Sequence, residues 1–431
     1  MTTIVITGMG VISPYGVGPA LLWQNLIAGK SALKELTGFD TSHIQCRVGG
    51  QLADFHPENY LPPRTIRKID RFSVFGLITV QMALQNAGLL QDNGKPVWSQ
   101  QEGGGNRVGI TVGNNLGGWE FAERELHNLW TAGARDVSPY MATAWFPAAV
   151  QGNVSIQFGI KGVGRTFLSD RAGGAFALMH AADALTRGKA DIMLAGGTEA
   201  PFSPYAALCY ETSGLMSKQA VTGSSSAYRP FDAEHDGLVT AEGGAFFVLE
   251  RLKDARKRNA PILAELAGWA SSNDGYNPVR VAPDGQRYAA AMSQALQRAA
   301  VLPDDVDCVF AAGSAVPTED ISETRALHLA FEEAAFHVPV STPKSAFGNL
   351  FGAALPLDLA IATIAMQEHI IPATLNLDRA AEGCDLDYVP QTPRPVDRFD
   401  TGLLNARGIG GTNAALVLRR WTEEDGAKAL P

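Results

Sequence analysis

The sequence predicts an α/β protein built from two similar halves, on three observations. Short β-branched runs alternate with Ala-, Gly- and Leu-rich stretches of helical length along the whole chain, the pattern of layered α/β folds. Two of those stretches, Ala172–Leu185 and Gly352–Met366, are apolar on every face. A helix with no polar face has to be enclosed on all sides, and one such helix falls in each half. With 431 residues, 46% hydrophobic and 18% charged, the chain is long enough for two or three domain-sized units and too apolar for disorder.

The elements follow in order. Ile4–Thr7 is a buried strand. Pro19–Ala28 is a helix with proline in its first turn and Gly29 just past its end. Asp70 is placed to cap a helix that runs through Phe72, Phe75 and Ile78 to about Asn86, where Gly88 stops it. Leu90–Arg107, with Pro96 and Gly103–Gly105, reads as a surface loop. Asp191–Ala195 is a buried strand following the first apolar helix. The charged segment Glu250–Arg258 marks the boundary, giving halves of residues 1–254 and 255–421 with a tail at 422–431.

Composition excludes several classes of function. Lys+Arg number 35 against 44 Asp+Glu, a net charge of −9 with no basic cluster, so a nucleic-acid partner is not expected. Cys46, Cys209, Cys308 and Cys384 are scattered without a CxxC pair, which fits a reducing compartment and argues against a thiolate metal site or a disulfide framework. The first residues carry no basic segment of a secretory signal. Gly352–Met366, interrupted by Pro356 and Asp358, is too short to span a bilayer. The expectation is a cytoplasmic protein with no metal, no cofactor and no membrane partner. Thr7-Gly8-Met9-Gly10 follows a strand, but Pro14 and Gly16 to Gly18 intervene before any helix. A dinucleotide fingerprint needs the helix to begin inside the glycines, so these read as a tight turn.

More specific runs come later. Arg229-Pro230-Phe231-Asp232, Asp236-Gly237, Glu242-Gly243-Gly244 and Val248-Leu249-Glu250 fall in one block. With Ala195-Gly196-Gly197-Thr198-Glu199-Ala200 and Gly408-Ile409-Gly410-Gly411-Thr412-Asn413, the chain resembles the β-ketoacyl-synthase family of thiolase-fold condensing enzymes from Ile4 to about Leu418. The resemblance implies two pseudo-repeated halves in a five-layer αβαβα arrangement. It also implies a cysteine at a helix N-terminus, where the dipole lowers its pKa, and two histidines that act on the malonyl carbonyl.

None of the three is present. Arg171 stands in the cysteine's place within Ser169-Asp170-Arg171-Ala172-Gly173-Gly174. Ala312 replaces the first histidine in Ala312-Gly313-Ser314-Ala315-Val316, ahead of Asp320 and Glu323. Asn349 replaces the second, after Lys344-Ser345-Ala346-Phe347-Gly348. A guanidinium stays protonated at working pH and cannot carry an acyl group, so no residue of this chain is expected to be catalytic. Lys344, with Asp358 where the family has its acidic partner, reads as a structural pair, because a buried ammonium must be paired. Cys209 has no histidine near it in sequence and reads as inert core; His180, deep in the Ala-rich helix, reads as a satisfied buried histidine.

Within the family, the chain resembles the chain-length factor, the non-catalytic ketosynthase subunit of type II polyketide synthases. The matching stretches are Gly117-Gly118-Trp119-Glu120-Phe121, Glu125-Leu126, Leu129-Trp130, Ala144-Trp145-Phe146 and Ser169-Asp170-x-Ala172-Gly173-Gly174. That family has glutamine at x, and Arg171 departs from it. The resemblance implies a heterodimer with a catalytic ketosynthase, joined through the strand before Arg171. A poly-β-ketone on an acyl carrier protein then extends into a tunnel at the interface, closed at the positions of Trp119, Ala122 and Leu126. On a helix these three and Trp130 share one stripe, which is also the pattern of an ordinary core face, and Glu123 lies on the same side. Two alternatives stand beside this assignment: a malonyl-carrier decarboxylase that primes synthesis, and a degenerate ketosynthase acting as an acyl-binding module. Arg171 at a helix start opposes the dipole, so a carboxylate or carbonyl is expected beside it, from Asp170 or a partner.

Overall fold

The structure, a computed structural model, describes residues 2–220 and 225–422; the expected tail beyond Thr422 lies outside the described residues. The principal strands of the first half are β1 (Ile4–Ser13), β2 (Val108–Gly113), β3 (Gly164–Phe167), β4 (Ile192–Glu199) and β5 (Gly243–Arg251). Those of the second half are β6 (Ala264–Asn273), β7 (Cys308–Phe310), β8 (Val340–Ser341), β9 (Thr401–Gly408) and β10 (Thr412–Arg420). Each half repeats one plan. The first is ordered β3-β2-β4-β5-β1 and the second β8-β7-β9-β10-β6. In both, the middle strand is parallel to its neighbour on the outer side, and the last two pairings are antiparallel. The halves join where β1 meets β6, through Ile4–Leu266, Val5–Glu265 and Ile6–Ala264.

Among the described residues nine principal helices pack on or beside these sheets: α1 (Pro19–Ile27), α2 (Arg71–Asn86), α3 (Trp119–Thr131), α4 (Ala149–Phe158), α5 (Gly173–Thr186), α6 (Pro204–Thr212), α7 (Gln286–Ala299), α8 (Pro317–Phe331) and α9 (Ala354–Glu368); α3 and α6 pack against each other at the periphery. Alternation along the strands sorts the side chains into layers. Met193, Phe247 and Leu249 of the first half join Leu404, Leu416 and Leu418 of the second in one core around α5 and α9. Leu194, Phe246 and Val248 face α2 and α4 on the opposite side, and Leu403, Ala415 and Val417 face α7 and α8. The result is five layers with α5 and α9 in the middle; α9 is buried on every face from Ala354 to Met366, whereas α5, against expectation, keeps a half-buried stripe of Phe176, His180 and Asp183. Pro356 does not break α9, because it falls in the first turn.

Asp70 caps α2 as its sequence position requires, Oδ1 accepting the Phe72 N–H at 3.1 Å, and Gly88 follows the helix with φ +68°. Oδ2 accepts the Phe121 N–H at 2.8 Å, so one side chain anchors the starts of α2 and α3. Two expectations need correcting. Gly8 and Gly10 are not a turn but lie inside β1, which runs six residues further than Thr7. A Cβ at Gly10 would lie 2.0 Å from the Thr79 carbonyl oxygen and one at Gly8 2.3 Å from that of Ala83, so the glycines let α2 rest directly on the strand. The 90–107 segment is a loop with a fixed centre: Trp98 is buried and its indole N–H donates to the Phe158 carbonyl at 2.9 Å.

Gly10→Ala should therefore force α2 off the sheet. Its cost is expected at about 1–3 kcal/mol, the range for overpacking a filled core, read as a lowered urea midpoint at unchanged m-value.

Candidate functional site

The segment between β3 and α5 turns at Asp170, whose φ of +48° is left-handed. Arg171 follows at the start of α5, buried. Its guanidinium makes a two-pronged ion pair with Glu319 of α8, Nη1 to Oε2 at 2.6 Å and Nη2 to Oε1 at 3.0 Å. Its Nε donates to Asp170 Oδ2 at 3.1 Å. A carboxylate thus offsets the unfavourable helix end, and beside Asp170 it is chiefly Glu319. Burial works against the charged guanidinium, but Glu319 and Asp170 outweigh it and hold its pKa above the usual arginine value. Burial likewise opposes the Glu319 carboxylate, and Arg171 outweighs it, leaving Glu319 below the ordinary carboxylate range. Asp170 Oδ2 also accepts the Ile409 N–H at 2.8 Å, which ties the loop after β9 to the same point.

The other expected positions converge on Arg171. Ala312 follows β7, and its N–H and that of Gly313 donate to Glu323, each at 2.9 Å. Asn349 donates through Nδ2 to the Tyr228 hydroxyl at 3.2 Å, and Tyr228 donates to the Gly313 carbonyl at 2.8 Å. Tyr228 therefore stitches together the two loops that would carry histidines. Lys344 Nζ lies 2.8 Å from Asp358 Oδ2 and donates to the Ala311 carbonyl at 2.6 Å. Burial raises the Asp358 pKa to about 6 even with Lys344 beside it. Arg171, Ala312, Lys344, Asn349 and Asp358 line one cavity with Asn405 and Arg407. The open space between them is only about 10 Å³, about one water's worth and far below the roughly 300–1,000 Å³ of small-molecule pockets. The Arg171 guanidinium forms part of its wall, and among the described residues no cysteine, serine or histidine lines it.

Trp119, Ala122 and Leu126 lie apart from that cavity, on α3. Ala122 is buried at 1% exposure, while Trp119 and Leu126 are half-buried. Trp130, at the far end of the stripe, is 77% exposed, so the stripe is not a core face. The residues α3 buries are Phe121, Ala122 and Glu125. The Trp119 ring packs 4.5 Å from Tyr205 and 6.3 Å from Trp145. Cys209 is exposed on α6, not core, whereas Cys46, Cys308 and Cys384 are buried. His180 is half-buried against Phe167, 5.5 Å between ring centroids, and burial lowers its pKa. Sequence reasoning missed Glu319, Tyr228 and Arg407. The available hint was an acidic pair, Glu319-Asp320, just after Pro317 at a helix start.

Breaking the ion pair from one side should be costly. Arg171→Ala leaves Glu319 buried and unpaired, an expected loss of about 3–5 kcal/mol, whereas Arg171→Met with Glu319→Leu should come out near neutral; denaturant titration distinguishes them. The pH dependence follows from the lowered Glu319 pKa. The stabilisation is complete above the unfolded carboxylate value and disappears as pH falls through the folded one. The double variant should lose this part of its acid sensitivity.

Comparison with known proteins agrees with the geometry. The model described as "Beta-ketoacyl synthase, N-terminal domain" matches residues 1–255, and the corresponding C-terminal domain model matches residues 263–378. The chain is 37% identical to the tetracenomycin polyketide synthase ketoacyl synthase beta subunit of Streptomyces glaucescens, over 97% of this chain and 98% of that one. It is 35% identical, with the same coverage, to 3-oxoacyl-(acyl-carrier-protein) synthase 2 of Coxiella burnetii. Among solved structures, the ishigamide ketosynthase/chain length factor superposes with a TM-score of 0.86 at 26% identity, covering 98% of this chain and 100% of the other. Tandem family models, full-length relatives and a duplicated half-sheet around two enclosed helices lead to one conclusion: the chain belongs to the β-ketoacyl synthase family and has its thiolase-like fold.

Proposed function

We propose that this chain is the chain-length factor of a type II polyketide synthase, non-catalytic by itself and paired with a catalytic ketosynthase. The observation that carries the proposal is the Arg171–Glu319 ion pair filling the position where a family enzyme binds its acyl group. Ala312 and Asn349 supply no imidazole to polarise a carbonyl or to support loss of carbon dioxide. The decarboxylase alternative needs those donors and finds none. The glycines that let β1, α2, α5 and α9 approach closely are intact, which is what a chain kept for its shape requires.

The partner surface has support in the outer edge of the first half. β3 pairs on one side only among the described residues, leaving backbone N–H and C=O groups on the other. Beside it Phe146 and Leu168 line one exposed groove, and Ile156 on α4 is 85% exposed. Single exposed apolar residues are ordinary, but several beside a free sheet edge mark an interaction surface. The occupant we assign is the ketosynthase subunit, with an acyl carrier protein delivering malonyl units and the growing poly-β-ketone. The likeness of the Gly117–Trp130 region supports an unreduced, aromatic-type polyketide product, with a reduced polyene-type product as the alternative. Trp119, Ala122 and Leu126 then close the tunnel, with the Trp119 indole as its wall.

Three experiments test the proposal. The chain should co-elute with its cognate ketosynthase and consume no malonyl-carrier substrate alone. Arg171→Cys should not turn it into a ketosynthase, because loss of even one oxyanion donor typically costs about 10²–10³ in rate; condensation by that variant without a partner would overturn the site assignment. In the reconstituted complex, Trp119→Ala should lengthen the product by at least one two-carbon unit and Ala122→Phe should shorten it. Unchanged mass spectra for both, with the heterodimer intact, would remove these residues from the tunnel.

A further inference from the structure

Glu123 is an anomaly in the sequence, a carboxylate on the same side of α3 as Trp119 and Leu126. In the structure it starts a neighbouring helix. α6 opens with Pro204, which has no N–H to satisfy. The next N–H, from Tyr205, donates to Glu123 Oε1 at 2.7 Å, and that of Ala206 donates to Ser203 Oγ at 3.3 Å. The first-turn donors of α6 are divided between its own cap and a side chain of α3. A negative charge at that end also suits the helix dipole.

The second link is aromatic. The Tyr205 backbone is held by Glu123, and the Tyr205 ring lies 4.5 Å from the Trp119 ring at an interplanar angle of 36°, within the range of favourable aromatic pairs. Trp145 meets Trp119 nearly edge-on, 6.3 Å away at 67°. Trp119 and Glu123 sit one turn apart on α3, so α6 grips that helix twice, at the backbone through Glu123 and at the ring through Trp119. An indole has several staggered rotamers open to it, and the Tyr205 contact selects one.

We propose that Glu123 and Tyr205 are positioning residues for chain length, acting through Trp119 rather than on the growing chain. They fix the indole in the orientation that closes the tunnel. This rests on the assignment of Trp119 to the tunnel end.

The test uses the heterodimer with its carrier protein. Tyr205→Ala and Glu123→Ala should raise the share of products longer by one two-carbon unit by roughly two- to tenfold, the ratio expected from losing an aromatic pair. Tyr205→Phe keeps the ring and Glu123→Gln keeps the acceptor oxygen, and both should stay near the parent profile. Trp119→Ala combined with Tyr205→Ala should give products no longer than Trp119→Ala alone. With 5-fluorotryptophan incorporated, the ¹⁹F signal identified as Trp119 by its loss in Trp119→Ala should shift or broaden in Tyr205→Ala and Glu123→Ala. A parent-like profile in Tyr205→Ala where Trp119→Ala lengthens the product would overturn the positioning role alone. An additive double variant, or an unmoved Trp119 signal, would do the same. If Trp119→Ala itself changes nothing, the tunnel assignment fails first and the positioning role fails with it.

Discussion

A helix apolar on most of its faces is stable only where protein covers those faces, and α5 and α9 impose that demand on the entire chain. Two half-sheets are needed to cover them, and outer helices are needed to cover the half-sheets. The two helices also meet at their beginnings: a Cβ on Gly174 would lie 2.4 Å from Pro356 Cδ and 2.5 Å from the Gly352 carbonyl oxygen. Two helix N-termini thus converge on one point, each with unpaired N–H groups and the positive end of its dipole. Such a point favours an anion, which is why a reactive thiolate suits it. Arg171 brings a further positive charge there, and Glu319 and Asp170 are the response.

Under the proposed assignment, Arg171 makes a joint where a family enzyme would hold its nucleophile. A buried ion pair is weak evidence for stability, since desolvation consumes much of its attraction. Its geometry is more informative. Arg171 and Asp170 belong to the first half, Glu319 and Ile409 to the second. Tyr228, Asn349 and Gly313 add a hydrogen-bonded chain between loops far apart in sequence. Arg407 pairs with Asp274 at 2.7 Å, both buried. Charges at this centre are matched to opposite neighbours, although Asp358 Oδ1 and Arg407 Nε are left without a hydrogen-bond partner.

What was legible in the sequence was local. Asp70 and Gly88 announce a helix start and stop because capping is decided within a few residues, and the two apolar helices declare their burial by composition. Gly8 and Gly10 were misread because their reason lies in α2, some seventy residues on, which rests against them. Arg171 called for a carboxylate, yet Glu319 is 148 positions away, and nothing short of the fold connects them. Cys209 and Trp130 carry no sign of exposure in their own residue type; α3 simply spends its packing on Phe121, Ala122 and Glu125. Glu123 belongs with these, since its partner is a backbone N–H on another helix.

The place of α5 at the centre has a consequence for how the chain is made. α5 is complete by Thr186, but α9 and the strands β9 and β10 that share its core come at the other end of the sequence. While the ribosome works through the intervening residues, the apolar side of the first half has no lasting cover. Burial of that surface must wait for contacts of very long sequence separation, which close slowly and leave nascent chains open to misassembly. The two family-sized halves share one core around α5 and α9, so the burial of that core is complete only when the last strands are present.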